Sequence, residues 1–295
     1  MDISSLKIGN AAGVVKTLED VRRFAKVPSS TQITVGSITV ESREGNSGSR
    51  EYLVPGGPFF NSLGMPNGGL PYYQNMVAQM QQDVTMSEKK LRVSIAGFSV
   101  NDYRLLAVAV GSHVDVLEAN YGCPNVWGGG TQKKILSFDP RGIEEVTAVI
   151  AGALEAVDSP AKLAIKLSPY SDPGLLAEVA AVIAGNLHVS SVVLSNTLPN
   201  ALPLRDDGSR AIFGKGYAGM SGEGYKWFVL GQVAQFRELL RERVSITAVG
   251  GISSGVDIRD YESVGATEFQ VGAACYLGGE KVLHTIAAEY ADLVC

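Results

Sequence analysis

Eight short runs rich in β-branched residues recur along this chain, at 9–15, 32–40, 91–97, 114–121, 161–167, 190–196, 245–251 and 268–274. Between them lie stretches with apolar residues at three- and four-residue spacing, over 17–25, 142–156, 173–184, 227–240 and 256–264, which is the period of an amphipathic helix. Strands that alternate with helices predict parallel pairing, because parallel neighbours need a long crossover rather than a hairpin. Eight such units in 295 residues match the ~250 residues that a closed barrel of this type takes. The expected fold is α/β, a (β/α)8 TIM barrel filling 1–295 as one domain, with two small domains as the alternative. Two connections are longer than a barrel needs, 41–71 after the second strand and 198–224 after the sixth. Both follow the C-terminal ends of strands, so they are expected to act as lids or binding loops rather than as decoration or a dimer contact.

Composition narrows the partner. No apolar run approaches the ~20 residues of a membrane-spanning helix, and 45% hydrophobic against 19% charged residues suits a soluble protein with a large core. The N-terminus, with Asp2 among short apolar segments, lacks a signal-peptide pattern. A net charge of -5, with basic residues scattered, leaves no footprint for nucleic acid or an anionic membrane. A small molecule is therefore the expected partner. Cys123, Cys275 and Cys295 are odd in number, and their spacing suits neither a disulfide framework nor a zinc site. That favours a reducing compartment, the cytoplasm, and no metal. His113, His188 and His284 each fall in or beside a predicted helix, an ordinary setting for surface or core histidines.

Polar residues at the C-terminal ends of barrel strands share one mouth. The fourth run delivers Asn120-Tyr-Gly-Cys-Pro-Asn125 there. Its amides suit a planar heterocycle, and its thiol, Cys123, can exchange a proton once its pKa falls; an inert buried thiol is the alternative. The other ends carry Ala11-Ala-Gly13, Lys166, Asn196-Thr197, Gly250-Gly251 and Gly272-Ala273. The last two glycine turns put backbone N–H groups where an anion can approach, and barrels commonly bind phosphate after strands seven and eight. Plain tight turns are the alternative in a chain with 34 glycines. Neither a Gly-x-Gly-x-x-Gly opening a βαβ unit nor a P-loop is present, which argues against a dinucleotide on a Rossmann fold. Lys166 interrupts an otherwise apolar strand. A buried ammonium needs a polar or charged partner, although a surface position is the simpler alternative. If the phosphate belongs to flavin mononucleotide (FMN), this cation would lie by the pyrimidine edge of the ring, where negative charge gathers on reduction. The segment 126–131 has the glycine content of a moving lid.

Taken in order, these motifs resemble dihydroorotate dehydrogenase, specifically its soluble class 1 enzymes with a cysteine base, over nearly the full length. The resemblance rests on Ser42-Arg-Glu-Gly-Asn46, Asn61-Ser-Leu-Gly-Met-Pro-Asn67, Ser94-Ile-Ala-Gly97, Asn120-Tyr-Gly-Cys-Pro-Asn125, Ile165-Lys166, Ser195-Asn-Thr197, Ala218-Gly-Met-Ser-Gly222, Val249-Gly-Gly-Ile-Ser-Ser-Gly255 and Gln270-Val-Gly272. It implies FMN held by Ala12, Gly13, Gly36 and Ser37, by Asn120, Lys166, Ser195 and Gly222, and by Gly250, Gly251, Gly272 and Ala273. It implies a dihydropyrimidine pocket of Asn61, Ser62, Leu63, Gly64 and Met65 with Asn120, Asn125, Asn196 and Thr197. Cys123 would take a proton from C5 of dihydroorotate while a hydride leaves C6 for the flavin N5, with Lys166 beside the ring. Fumarate as acceptor and a homodimer follow from the single-subunit type.

The chain departs from that pattern at two places. The family's cysteine enzymes carry a lysine at the end of strand two, where this chain reads Thr34-Val-Gly-Ser37 with Gly36 at the matching position. Lys16, just past the first strand, is the candidate substitute, with a surface lysine at a helix start as the alternative. Tyr121 and Gly122 replace the usual Leu-Ser. The competing readings are a paralogue acting on another dihydropyrimidine, a flavin-binding barrel without activity, and a tRNA-dihydrouridine synthase. The last shares Asn-x-Gly-Cys-Pro but needs a basic surface and usually an added C-terminal helical domain.

Overall fold

The computed structural model describes residues 6–86, 88–128, 131–212 and 217–294. Eight parallel strands close into a barrel: β1 (Ile8–Asn10), β2 (Gln32–Ile38), β5 (Lys90–Ile95), β6 (Val116–Asn120), β9 (Lys162–Lys166), β10 (Val189–Leu194), β13 (Ser245–Ala248) and β14 (Glu268–Val271). Each pairs with its neighbours in the chain order of these eight, and β1 closes the ring against β14 through Gly9 opposite Gln270. All eight predicted strands are present. Their predicted C-terminal limits overshoot because polar and glycine-rich turns end the pairing early. After β1, Asn10 gives its amide to Thr34 O at 2.6 Å, and Gly13 turns with φ 101°, so the strand stops before Ala11.

Helices α1 (Leu18–Ala25), α2 (Leu70–Gln81), α3 (Val100–Val110), α4 (Pro140–Glu155), α5 (Pro173–Gly185), α6 (Lys226–Leu240), α7 (Gly255–Ser263), α8 (Ala273–Gly278) and α9 (Val282–Val294) lie around the barrel. Their starts are written locally. Thr17 with Asp20, and Ser254 with Asp257, form capping boxes at α1 and α7. Asp139 and Asp172 cap α4 and α5, each followed by a proline in the first turn.

The two long connections do not stand apart as separate loops. Strands β3 (Glu51–Leu53) and β4 (Pro58–Asn61) from the first pair with β11 (Leu198–Ala201) and β12 (Ala218–Gly222) from the second. The result is one antiparallel sheet in the order β11-β12-β4-β3, with Gly219 opposite Asn61. After β6, β7 (Trp127–Gly128) and β8 (Thr131–Gln132) form a short ribbon. The predicted lid at 126–131 falls partly, and Cys295 wholly, outside the described residues.

One layer of the barrel interior is charged. Arg92 on β5 reaches Glu268 on β14 at 2.8 Å, Gln32 on β2 at 3.1 Å and Glu118 on β6 at 3.4 Å. Strands that are not neighbours meet this way only through the interior. Gln270 donates to Glu118 at 2.8 Å, and both Arg92 and Glu118 are fully buried. Such a cluster persists only when its members answer each other's charge and hydrogen-bonding needs.

Candidate active site

Strand ends and the added sheet enclose a pocket of about 320 Å3. Ala12 and Gly13 enter its wall after β1, Ser37 from β2, Asn120 from β6, Lys166 from β9 and Ser195 after β10. Gly250 and Gly251 after β13, Gly272 and Ala273 after β14, and Gly222 of β12 complete that side. Across from them stand Asn61, Leu63, Gly64 and Met65, with Cys123, Asn125, Asn196 and Thr197. Of the residues singled out in the sequence, Gly36 and Ser62 alone lie behind the wall. Ser62 accepts from Asn46 Nδ2 at 3.2 Å, and Gly36 O accepts from Gly13 N at 2.5 Å.

Asn120 is the hub of the polar floor. Its amide donates to Ser37 Oγ at 2.9 Å, and its carbonyl oxygen accepts from Asn196 Nδ2 at 3.1 Å and Gly122 N at 3.2 Å. Tyr103 of α3 fixes the backbone beneath by donating to Asn120 O at 3.0 Å. Asn125 gives its amide to Asn61 Oδ1 at 2.9 Å, while Asn125 Oδ1 and Thr197 Oγ1 are buried without a protein partner. Buried polar atoms without partners are costly. Both residues line the pocket, but these two atoms face the protein rather than the opening.

The glycine turn after β13 is braced from below. Gly250 and Gly251 have φ 154° and 67°, and a Cβ at Gly251 would lie 2.8 Å from Lys226 Cβ. Lys226 is in turn held by Asp257 at 2.6 Å and Asp260 at 2.7 Å, and Tyr261 donates to Gly250 O at 2.6 Å. A Cβ at Gly272 would meet only Ala11 Cβ, at 3.6 Å. The turn after β14 therefore borders open space while the turn after β13 is packed on Lys226, and both line the pocket, where backbone N–H groups can serve an anion.

Burial pushes the Cys123 thiol above its ordinary pKa, opposed by a hydrogen bond from the Asn125 backbone and by Lys133, Lys166 and Arg43. Burial pulls the Lys166 ammonium down, opposed by Glu118 from the charged layer beneath and by Cys123. No hydrogen bond to that ammonium is found among the described residues. Cys275 sits in the core, its thiol pushed up to about 12 by burial. His113, His188 and His284 take no part in the pocket wall.

Gly36 shows why no lysine stands at the end of β2. Its φ is 108°, and a Cβ would sit 2.5 Å from Ser94 O and 2.9 Å from Ile38 N. Backbone atoms of β5 and β2 occupy the space a side chain would need. Gly36→Lys is expected to strain the strand by about 1–3 kcal/mol and to lower the urea unfolding midpoint. A variant as stable as the parent would remove this account. Lys16 does enter the pocket wall, where burial lowers its pKa and Arg50, Glu51 and Asp20 are its charged neighbours. The cations acting on Cys123 are different ones.

Sequence reasoning passed over Asn46, Tyr225 and Lys133. Asn46 donates to Ser62 O at 2.9 Å and Asn125 O at 3.0 Å, so it joins the first insertion to the turn carrying Cys123. It closes the quoted Ser42 to Asn46 motif, which was the available signal. Tyr225 meets Ser195 Oγ and Asn196 O at 2.5 Å each, but nothing local marks it. Lys133 follows a glycine-rich stretch, where a lysine reads as solvated.

A family model described as "Dihydroorotate dehydrogenase" matches residues 6–294. Among curated relatives, a "Dihydroorotate dehydrogenase (fumarate)" of Kluyveromyces lactis is 30% identical over 290 residues, covering 97% of this chain and 88% of that protein. A "Probable dihydroorotate dehydrogenase A (fumarate)" of Streptococcus pneumoniae is 29% identical, covering 95% and 86%. Among solved structures, DHODH from Eimeria tenella in complex with ferulenol aligns with TM-score 0.83 at 20% identity, covering 98% of this chain and 81% of that one.

Proposed function

This chain belongs to the dihydroorotate dehydrogenase family, and from that premise we propose that it oxidises dihydroorotate to orotate in pyrimidine biosynthesis, with FMN as cofactor and fumarate as acceptor. One observation carries the reading. Cys123 and Lys166 line the same pocket as a set of fixed amides and two glycine turns.

The residues fit FMN. Gly250, Gly251, Gly272 and Ala273 would hold the phosphate on backbone N–H groups. Ala12, Gly13, Ser37, Asn120, Ser195 and Gly222 would border the ring and its chain, and Lys166, which has no hydrogen-bond partner among the described residues, would face the pyrimidine edge. When bound, FMN supplies the hydride acceptor for the hydrogen leaving C6. Cys123, as thiolate, takes the proton from C5, so that the C5–C6 double bond forms. Asn61, Asn125, Asn196 and Thr197, which line the pocket, would orient the dihydropyrimidine through their fixed polar groups. Rings that cannot match a set of fixed amides would be rejected. Family resemblance further supports a single-domain cytoplasmic homodimer; no helix of the described residues is long and apolar enough to cross a membrane.

Anaerobic mixing with dihydroorotate is expected to bleach the flavin. Because the thiol must ionise first, and burial pushes it up, the rate rises with pH through the thiol range. It falls again at higher pH as Lys166, whose pKa is lowered by burial, loses its proton. A flavin reduced by no dihydropyrimidine would sink the proposal, and a rate indifferent to pH would sink its base. A second reading, a different dihydropyrimidine as substrate, is favoured by Gly36, which leaves no room for the family's lysine. A panel of dihydropyrimidines separates the two.

A further inference from the structure

We propose that Lys133 is a positioning residue that favours the working thiolate form of Cys123, through a cation that the returning end of the Cys123 loop anchors at Gly97 and Phe98. The proposal rests on the dehydrogenase reading above and deepens it. After leaving β6 the chain passes Cys123 and Asn125, runs out through β7 and β8, and comes back at Lys133, whose N–H donates to Val126 O at 2.8 Å. The Lys133 ammonium donates to Gly97 O and lies 4.5 Å from the centre of the Phe98 ring. Gly97 and Phe98 directly follow β5, the strand paired with β6 through Ile95 and Ala119. A cation pinned at Gly97 is therefore pinned next to the strand end that leads to Cys123.

The charged and titratable groups around the thiol come from four directions. Lys133 approaches from the returning loop, Lys166 from β9, Arg43 from the first insertion, and Tyr103 from α3. Burial holds Tyr103 neutral by raising its pKa. Lys166 faces the opposite charge of Glu118. Arg43 donates to Gly64 O at 3.1 Å and also packs over Phe98, 4.8 Å from the ring centre. Lys133 has a neutral carbonyl and a ring as its immediate partners. Burial lowers its pKa, and of the charged groups acting on it Cys123 and Asp102 oppose that shift while Arg43 adds to it. Asp102 is already engaged with Phe98 N at 2.8 Å and Ser99 Oγ at 2.7 Å, at the start of α3. Lys133 thus acts on the thiol with little compensation, in a chain that carries no side chain at Gly36 to do so.

The test needs neither substrate nor turnover. Holoenzyme, Lys133→Met and Lys133→Arg are alkylated with iodoacetamide across a pH series, and Cys123 is followed by site-resolved mass spectrometry. Cys275, buried and with its pKa pushed up to about 12, is the internal control. The expected result is that Lys133→Met moves the Cys123 midpoint up by about one pH unit, slowing alkylation near neutral pH about tenfold. Flavin absorbance stays unchanged, and Lys133→Arg keeps the parent profile. A Lys133→Met profile that overlays the parent overturns the proposal; so does an Arg variant that behaves like Met, since a contact rather than a charge would then be at work. If no dihydropyrimidine reduces the flavin while Lys133→Met still shifts the thiol, the dehydrogenase reading fails and the electrostatic assignment holds.

Discussion

Cys123→Ala is expected to keep its yellow flavin and to lose turnover on dihydroorotate by about 10²–10⁴-fold, the range that follows removal of a positioned general base. The substitution deletes only a sulfur in the pocket wall. The hydrogen bond it breaks is the one from the Asn125 backbone, and Asn125 remains tied to Asn61 and Asn46. The floor therefore stays in place and FMN binding survives. Cys123→Ser preserves shape and is expected to lose nearly as much, because a hydroxyl holds its proton far more tightly than a thiol. Stopped-flow reduction under anaerobic conditions measures both. Either variant reducing within tenfold of the parent rate would show that the C5 proton goes elsewhere.

Arg92→Met is expected to destabilise the protein by about 3–5 kcal/mol, because removing one partner strands a buried charge. Glu118 has no exposed surface, and its Oε1 already lacks a partner. Without Arg92 it keeps only Gln270, and Glu268 loses its 2.8 Å contact. The effect reaches the pocket as well: Glu118 raises the Lys166 pKa and Arg92 lowers it, so loss of Arg92 is expected to strengthen the hold of Lys166 on its proton. Urea unfolding reads the effect, and a change under about 1 kcal/mol would mean that the cluster relaxes or takes up protons at little cost.

The barrel was legible because its signal is local and repeated. β-branched runs and helical periods announce each unit, and Asp139-Pro140 and Asp172-Pro173 announce helix starts. The shared mouth was legible for the same reason: once the strands are parallel, their ends converge, and all but Gly36 and Ser62 of the residues singled out line one pocket. What escaped depends on contacts between distant segments. Pairing of Gly219 with Asn61 joins two insertions whose sequences carry no mutual signal. Arg92, within Lys90-Leu-Arg-Val-Ser-Ile95, looks like the polar phase of a strand until Glu118 and Glu268 are seen to reach it through the interior. Gly36 illustrates the remaining gap. Its identity is plain in the sequence, but the reason, a carbonyl of β5 in the way, belongs to packing.

The antiparallel sheet shared by the two insertions sets how this molecule can diversify. Asn61 enters the pocket wall from one arm, and Gly219 pairs with it from the other, where a Cβ would sit 2.0 Å from Thr197 Oγ1. The shape of the pocket on this side is thus set jointly by segments far apart in the chain. Grafting one arm from a homologue would leave mismatched halves, and only paired exchange of both keeps a coherent roof.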